Sequence, residues 1–313
     1  MVGSAIKRGL LKKGYTKLLT PSRNQLNLLD SDSVKNWFKD NKPEIVIIAA
    51  AKVGGIHANN SFRGDFILEN LKIQTNIIEN AWQNSTRRLI FLGSSCIYPK
   101  YSPQPIKEEY LLSSELEITN EPYAIAKIAG IKLCAALKQQ YNFDAISLMP
   151  TNLYGPGDNY HITNSHVLPA LIRKFHNAKS ENLNEVTCWG SGEAKREFLY
   201  VDDLAKATIF VLEKISSENQ LIYDKNCNYL GYLNIGIGSD ISIKNLAIKI
   251  AKEFNFKGEI KWDTSKPDGT PRKLLDVSRI NNLGWYSDIS IEQGIKKTII
   301  SYLEEIKNNK LRT

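Results

Sequence analysis

No apolar stretch of the chain approaches the length of a membrane span, and no secretory signal opens it as written. Cysteine is scarce: Cys96, Cys134, Cys188 and Cys227 lie far apart, with no Cys-x-x-Cys spacing. That pattern argues against a disulfide framework or a zinc site, so no metal is expected and a reducing cytoplasm is the expected compartment. Basic clusters interleaved with aromatics are also missing, although 41 basic residues face 33 acidic ones. The net charge of +8 therefore reads as a lysine-rich solvated surface, not a nucleic-acid interface, with a few cations left to meet an anionic substrate. Internal repeats and low-complexity tracts are absent too. What remains has the composition of an ordinary globular protein, long enough at 313 residues to bury a large core in one domain or two intimately joined ones.

Apolar strands alternate with helical patterns through the first half. Helices are expected over 3–13, 32–41, 65–84 and 122–141, and strands over 17–19, 44–49, 88–93 and 144–149. Such alternation implies a doubly wound parallel sheet, an α/β fold with helices on both faces. After Pro150 the pattern loosens. A helix over 166–178, a strand near 186–189 outside the main sheet and a helix that starts within 196–203 and runs to about 215 are expected, then an irregular surface segment to 231. The chain should rejoin the sheet at 232–236, followed by a helix from 242, a strand at 259–262, the loop 266–273 and a last helix from Ser290. The expected division is a dinucleotide-binding unit of residues 1–155 and 196–236, and a smaller, discontinuous substrate unit of 156–195 and 237–313.

The opening departs from the usual dinucleotide fold, which begins with a buried strand and a glycine-rich turn approaching a pyrophosphate. Met1-Val2-Gly3 matches only the last glycine of that turn. A sheet short of its first strand, and weak cofactor binding by the chain as written, are therefore expected.

Glu121 to Lys132 reads Glu-Pro-Tyr-Ala-Ile-Ala-Lys-Ile-Ala-Gly-Ile-Lys. Pro122 suits a first helical turn, and Tyr123 and Lys127, four apart, share a face. Alone, such a pair is ordinary helix decoration. Upstream, however, Leu89-Ile90-Phe91-Leu92 ends in Gly93-Ser94-Ser95-Cys96, a strand delivering small polar residues at its end. Ser, Tyr and Lys together can donate a proton to a carbonyl oxygen, with Lys127 the cation expected to lower the Tyr123 pKa and Ser94 bonded to the same oxygen.

Ala49-Ala-Ala-Lys-Val-Gly-Gly55, Gly93-Ser-Ser-Cys-Ile-Tyr-Pro99, Thr119-Asn-Glu-Pro-Tyr123, Pro150-Thr-Asn-Leu-Tyr-Gly-Pro156 and Lys266-Pro-Asp-Gly-Thr-Pro-Arg-Lys273 complete the pattern. Together they resemble the extended, nucleotide-sugar-modifying branch of the short-chain dehydrogenase/reductase superfamily, and within it the GDP-L-fucose synthases. The resemblance implies 3,5-epimerisation of GDP-4-keto-6-deoxy-D-mannose and NADPH-dependent reduction at C4, in a homodimer joined through two helices per subunit.

It also implies roles. Ser94, Tyr123 and Lys127 would carry the reduction, and Cys96 and His166 the epimerisation, residues that alone read as a buried small side chain and a helix cap. A C4 ketone acidifies the protons at C3 and C5, and a thiol and an imidazole can both exchange protons near neutrality. NADP(H) would touch Gly3, Arg23, Asn24, Gln25, Leu26, Asn27 and Leu28. Its nicotinamide half would touch Leu92, Gly93, Ser94, Ser95, Lys127, Pro150, Thr151, Asn152, Leu153 and His166. Arg23 follows the second expected strand, where a guanidinium can hold a 2′-phosphate, and otherwise reads as an exposed turn residue. Lys174, Trp189, Arg196 and Asp268 would contact the GDP-sugar. Two rivals stay open: a 4-epimerase or dehydratase of the same branch cycling a bound NAD, and a non-catalytic dinucleotide-fold protein.

Overall fold

The computed structural model describes residues 1–313. In chain order its elements are α1 (Val2–Lys12), α2 (Ser31–Asn41), β1 (Ile45–Ile48), α3 (Ile56–Ser61), α4 (Arg63–Gln83), β2 (Arg88–Leu92), α5 (Glu121–Tyr141), β3 (Ala145–Pro150) and β4 (Asn152–Tyr154). They continue with α6 (Val167–Ser180), β5 (Glu185–Trp189), β6 (Lys195–Arg196), β7 (Phe198–Tyr200), α7 (Val201–Lys214), β8 (Tyr232–Ile235) and β9 (Ile241–Ser242). The last are α8 (Ile243–Glu253), β10 (Glu259–Asp263), β11 (Arg272–Lys273), α9 (Ser278–Asn282) and α10 (Ile291–Lys307).

The central sheet is parallel throughout, in the order β1-β2-β3-β8. Every residue of β3 and β8 is buried, which explains why these strands read as unbroken apolar runs. Helices α4 and α5 pack on each other, as do α1 and α7, and the two pairs sandwich the sheet. Gly130 makes the closeness of α5 possible, since a Cβ there would lie 2.7 Å from the Phe91 ring on β2. This is the doubly wound architecture expected.

One expectation fails locally. Residues 17–19 form no strand: Lys17 and Leu19 are exposed, and the segment has no paired neighbour. A strand exists only where another chain segment satisfies its backbone, and nothing lies alongside this one. Consequently β1 is an edge strand, and Ile45, Val46 and Ile47 are only half-buried despite their apolar side chains. The helix expected to start within 196–203 starts at Val201, and β6 and β7 occupy the residues before it.

Two apolar clusters organise the interior. The larger holds 43 buried residues around the central sheet, among them Phe91, Ile131, Met149 and Leu233. The smaller holds 19, among them Tyr154, Leu171, Phe175, Ile250 and Tyr302. Between the clusters, β4 and β7 pair as a short parallel sheet at the C-terminal end of β3.

Candidate active site

The site grows from the C-terminal end of β2. The chain passes through Gly93, whose missing Cβ leaves room for the Met149 thioether on β3. It then enters a single 3-10 turn over Ser95–Ile97. Ser94 caps that turn, its Oγ accepting the Cys96 N–H at 3.2 Å, so Ser94 and Cys96 are fixed by one hydrogen bond. Helix α5 opens with Pro122 in its first turn and carries Tyr123 and Lys127 on the face turned to this strand end. The Ser94 and Tyr123 hydroxyls both border the cavity at this strand end, near enough for Ser94 to favour the ionised tyrosine. The Lys127 ammonium donates to the Leu92 carbonyl at 2.8 Å and sits 4.7 Å from the Phe91 ring centroid and 5.9 Å from that of Tyr123.

The electrostatics correct one expectation. Burial pushes Lys127 down to about 8 from its ordinary 10.5. Tyr123, by contrast, is pushed well above its ordinary range, by burial first and then by the neighbouring Cys96; the Ser94 hydroxyl pulls back only in part. Tyr123 is open to the cavity along one edge but enclosed by protein elsewhere, and the enclosure decides the direction. The ammonium of Lys127 is turned to the Leu92 carbonyl, so it does not lower the tyrosine in this state as the spacing suggested.

The opposite wall comes from loops. Gly55 precedes α3, its N–H bonded to the Asn164 carbonyl at 3.0 Å. A Cβ on Gly55 would stand 2.6 Å from the Ser165 carbonyl, so only glycine lets this turn abut the segment leading to His166. His166 is the N-cap residue of α6. Its ring is open to the water of the cavity yet surrounded by protein, and that enclosure, with the positive charge of Lys273, holds it below the usual histidine range.

Further out, Lys174 donates to the Thr187 carbonyl at 2.6 Å and lies 5.6 Å from the Trp189 ring, with Lys266 5.9 Å from the same ring. Burial lowers the Lys174 ammonium from its ordinary value. Trp189 is half-exposed, its indole presented to the cavity mouth. The Arg196 guanidinium donates to the Lys195 and Asp268 carbonyls. The Asp268 carboxylate is already occupied: it accepts the Ser191 N–H and hydroxyl, both at 2.8 Å, and so ties two loops together.

One fully buried carboxylate joins the walls. Glu197 accepts the N–H groups of Ile237 and Gly238 on one oxygen and of Leu275 on the other, while its backbone carbonyl accepts from Thr151 and Asn152. Burial raises its pKa even against these hydrogen bonds.

The reacting and cationic side chains above surround one cavity of about 430 Å³, with Glu197 behind its wall. It collects Ser94, Cys96, Tyr123, Lys127 and His166; Leu92, Gly93, Ser95 and Pro150 to Leu153; and Lys174, Trp189, Arg196 and Asp268. Gly3 and Arg23 to Leu28 are not in its wall. Of these, Leu26 is buried in the main core, Leu28 is half-buried, and Gly3, Arg23, Asn24, Gln25 and Asn27 are exposed. Asn120, Glu117 and Lys273 line the cavity without having been singled out, although Asn120 and Lys273 lie in motifs quoted above. Three buried polar atoms of the wall, Asn59 Oδ1, Asn120 Oδ1 and Ser165 Oγ, have no partner. A ligand rich in hydroxyl and amide groups suits such a wall.

Residues 1–224 match the family described as NAD dependent epimerase/dehydratase. The chain is 52% identical over 304 residues to the GDP-L-fucose synthase of Escherichia coli (strain K12), covering 97% of this chain and 94% of that protein. The chain belongs to the GDP-L-fucose synthase branch of this family. Solved structures agree with that membership. A GDP-6-OMe-4-keto-L-xylo-heptose reductase from C. jejuni superposes with a TM-score of 0.91 at 36% identity, covering 97% of this chain and 95% of that one. A GDP-L-fucose synthetase from Naegleria fowleri bound to NADP superposes with a TM-score of 0.86 at 26% identity, over 100% and 93% of the two chains. What this branch shares with the chain is thus nearly its whole length.

Proposed function

We propose that the chain inverts C3 and C5 of GDP-4-keto-6-deoxy-D-mannose and reduces C4 at the expense of NADPH, yielding GDP-L-fucose. The observation that carries this is the meeting of Ser94, Tyr123 and Lys127 with Cys96 and His166 around a single cavity. NADPH, when bound, supplies the hydride for C4.

The chain's own groups do the rest. Tyr123, whose proton burial keeps in place, delivers it to the oxygen at C4 while Ser94 hydrogen-bonds the same oxygen. Lys127 spends one donor on the Leu92 carbonyl and keeps others for ribose hydroxyls. Leu92, Gly93, Ser95 and Pro150 to Leu153, at the C-terminal ends of β2 and β3, form the floor for a nicotinamide, where ligands of open parallel sheets bind. The exposed guanidinium of Arg23, with Asn24 to Leu28 behind it and Gly3 at the start of α1, is assigned to the far end of the cofactor and its 2′-phosphate.

In the epimerisation Cys96 and His166 act from different elements, a 3-10 turn and a helix start. One removes the proton acidified by the ketone and the other returns one to the opposite face. Lys174 and Arg196 supply cations for a diphosphate, Trp189 an aromatic surface for the nucleotide, and Asp268 fixes the loop that presents them.

The unit boundaries 1–155 with 196–236, and 156–195 with 237–313, are assigned to cofactor and substrate respectively. A cytoplasmic homodimer joined through α4 and α5 is supported by the exposed apolar side chains Leu68 and Ile125 on these helices. The test is to mix the protein with NADPH and the keto sugar in deuterated water. Stoichiometric loss of NADPH with deuterium at C3 and C5 of the product is expected. Deuterium at C3 and C5 without NADPH loss would leave an epimerase without the reductase, and turnover of a 4-hydroxy GDP-sugar in place of the ketone, with no net NADPH loss, would assign the chain instead to a 4-epimerase or dehydratase.

A further inference from the structure

A cation that the roles above leave unused stands against the epimerising pair. Lys273, on β11, places its ammonium 3.6 Å from Cys96 Sγ, across 177 residues of sequence. Its backbone is held on both sides. Strand β11 pairs in parallel with β6, setting Lys273 opposite Arg196, and the Lys273 carbonyl accepts the Glu197 N–H at 3.2 Å. Two residues on, the Leu275 N–H is fixed by the buried Glu197 carboxylate at 3.0 Å. The ammonium is thus delivered to the sulfur by a braced strand, not by a mobile surface side chain.

We propose that Lys273 is a positioning residue of the epimerisation, holding negative charge on the Cys96 sulfur and opposing positive charge on His166. The proposal rests on the assignment of Cys96 and His166 as the proton-exchanging pair. With Cys96 as the base and His166 as the acid, inverting two centres requires the sulfur to pass its proton on, through solvent, between the two events, and a fixed ammonium 3.6 Å away stabilises the negative charge the sulfur then carries. The other groups facing the sulfur are Arg196 from β6, which adds positive charge, and the Tyr123 hydroxyl from α5. Beyond Arg196 lie the carboxylates of Asp268 and Glu117, which moderate that guanidinium and leave Lys273 as the cation in direct contact.

The experiment compares the full chain with Lys273→Met and Lys273→Arg. Alkylation of Cys96 by iodoacetamide at neutral pH, without substrate, is followed cysteine by cysteine by mass spectrometry. Cys227, exposed and outside the cavity wall, serves as the control in the same tube. Lys273→Met is expected to slow Cys96 alkylation about tenfold or more, with Lys273→Arg within about threefold of the parent and Cys227 unchanged in all three. Deuterium uptake at C3 and C5 should fall with it in kcat, with KM moved less than about twofold. Equal Cys96 alkylation in Lys273→Met and the parent overturns the proposal. So does equal loss in Lys273→Met and Lys273→Arg, which would mark a purely structural lysine. If the parent itself exchanges no deuterium, the functional reading fails while the alkylation comparison still decides whether Lys273 acts on the sulfur.

Discussion

The two walls of the cavity are built by opposite means. On the sheet side, Ser94, Cys96, Tyr123 and Lys127 hang from β2 and α5, and Lys127 is nearly sealed from solvent among residues of the 43-member core. On the loop side, Trp189 and Asp268 are exposed, and what order there is comes from hydrogen bonds between loops, such as Ser191 to Asp268. Apart from His166 at the start of α6, the groups that must meet a reacting atom within tenths of an ångström sit where core packing overdetermines the backbone. Groups that hold a nucleotide sit where adjustment is tolerable. The difference separates rate from affinity, and variants on each side should move one far more than the other.

The largest effect belongs on the sheet side. Tyr123→Phe should lower C4 reduction by about 10²–10⁴-fold while leaving deuterium uptake at C3 and C5 in place. Cys96→Ala and His166→Asn should do the reverse, suppressing uptake more than substrate binding. Full NADPH oxidation by Tyr123→Phe, or unaltered exchange by both of the other variants, would contradict the assignment.

That side also carries a stability penalty, since burial holds Lys127 near 8 instead of 10.5. Between those values the unfolded chain binds more protons, so this residue's contribution to stability rises with pH. Lys127→Met should therefore be more stable than the ligand-free parent at pH 7, by on the order of 1–3 kcal/mol, with the gap closing as pH climbs from 8 toward 10.5. Denaturant melts across this range test it, and a gap constant with pH would show that the lysine is not destabilised by burial.

Gly55 is where the walls touch. Gly55→Ala puts a methyl 2.6 Å from the Ser165 carbonyl and must shift the residue before His166. About a tenfold loss of deuterium uptake is expected, with NADPH oxidation on the already inverted ketone changed much less. Equal loss in both half-reactions would mean that the disturbance spreads beyond the His166 loop.

The smallest effect is assigned to Asp268. Releasing Ser191 through Asp268→Ala should raise KM by about tenfold or less and leave kcat near the parent value. A fall in kcat of the same size would put the loops 189–193 and 266–269 into the chemistry and erase the distinction.

Legibility in the sequence followed the same divide. The Tyr123 helix was readable because Pro122, the four-residue spacing and the strand-end serine are local signals. Residues 17–19 misled because Lys-Leu-Leu resembles a strand, whereas strand formation depends on a partner no local pattern reveals. The direction of the Tyr123 shift misled for a related reason. Spacing shows that Lys127 shares its face but not that the ammonium is turned to the Leu92 carbonyl. The meeting of Lys273 with Cys96 is wholly a product of folding, as is the distance of Arg23 to Leu28 from the cavity wall.

Glu197 sets the terms on which the molecule could be redesigned. Its one side chain fixes the end of β8 and the strand bearing Lys273, while its carbonyl fixes Thr151 and Asn152. Gly236 is compelled to stay a glycine beside it, because a Cβ would collide with the carboxylate. A library aimed at another nucleotide sugar can therefore vary Trp189, Glu193, Lys266 and Pro267, provided that Gly190, Gly192 and Gly269, all at positive φ, and the Ser191–Asp268 tie are retained, and that Glu197 and Gly236 are kept together as an invariant hinge-pin between the recognition loops and the reaction centre.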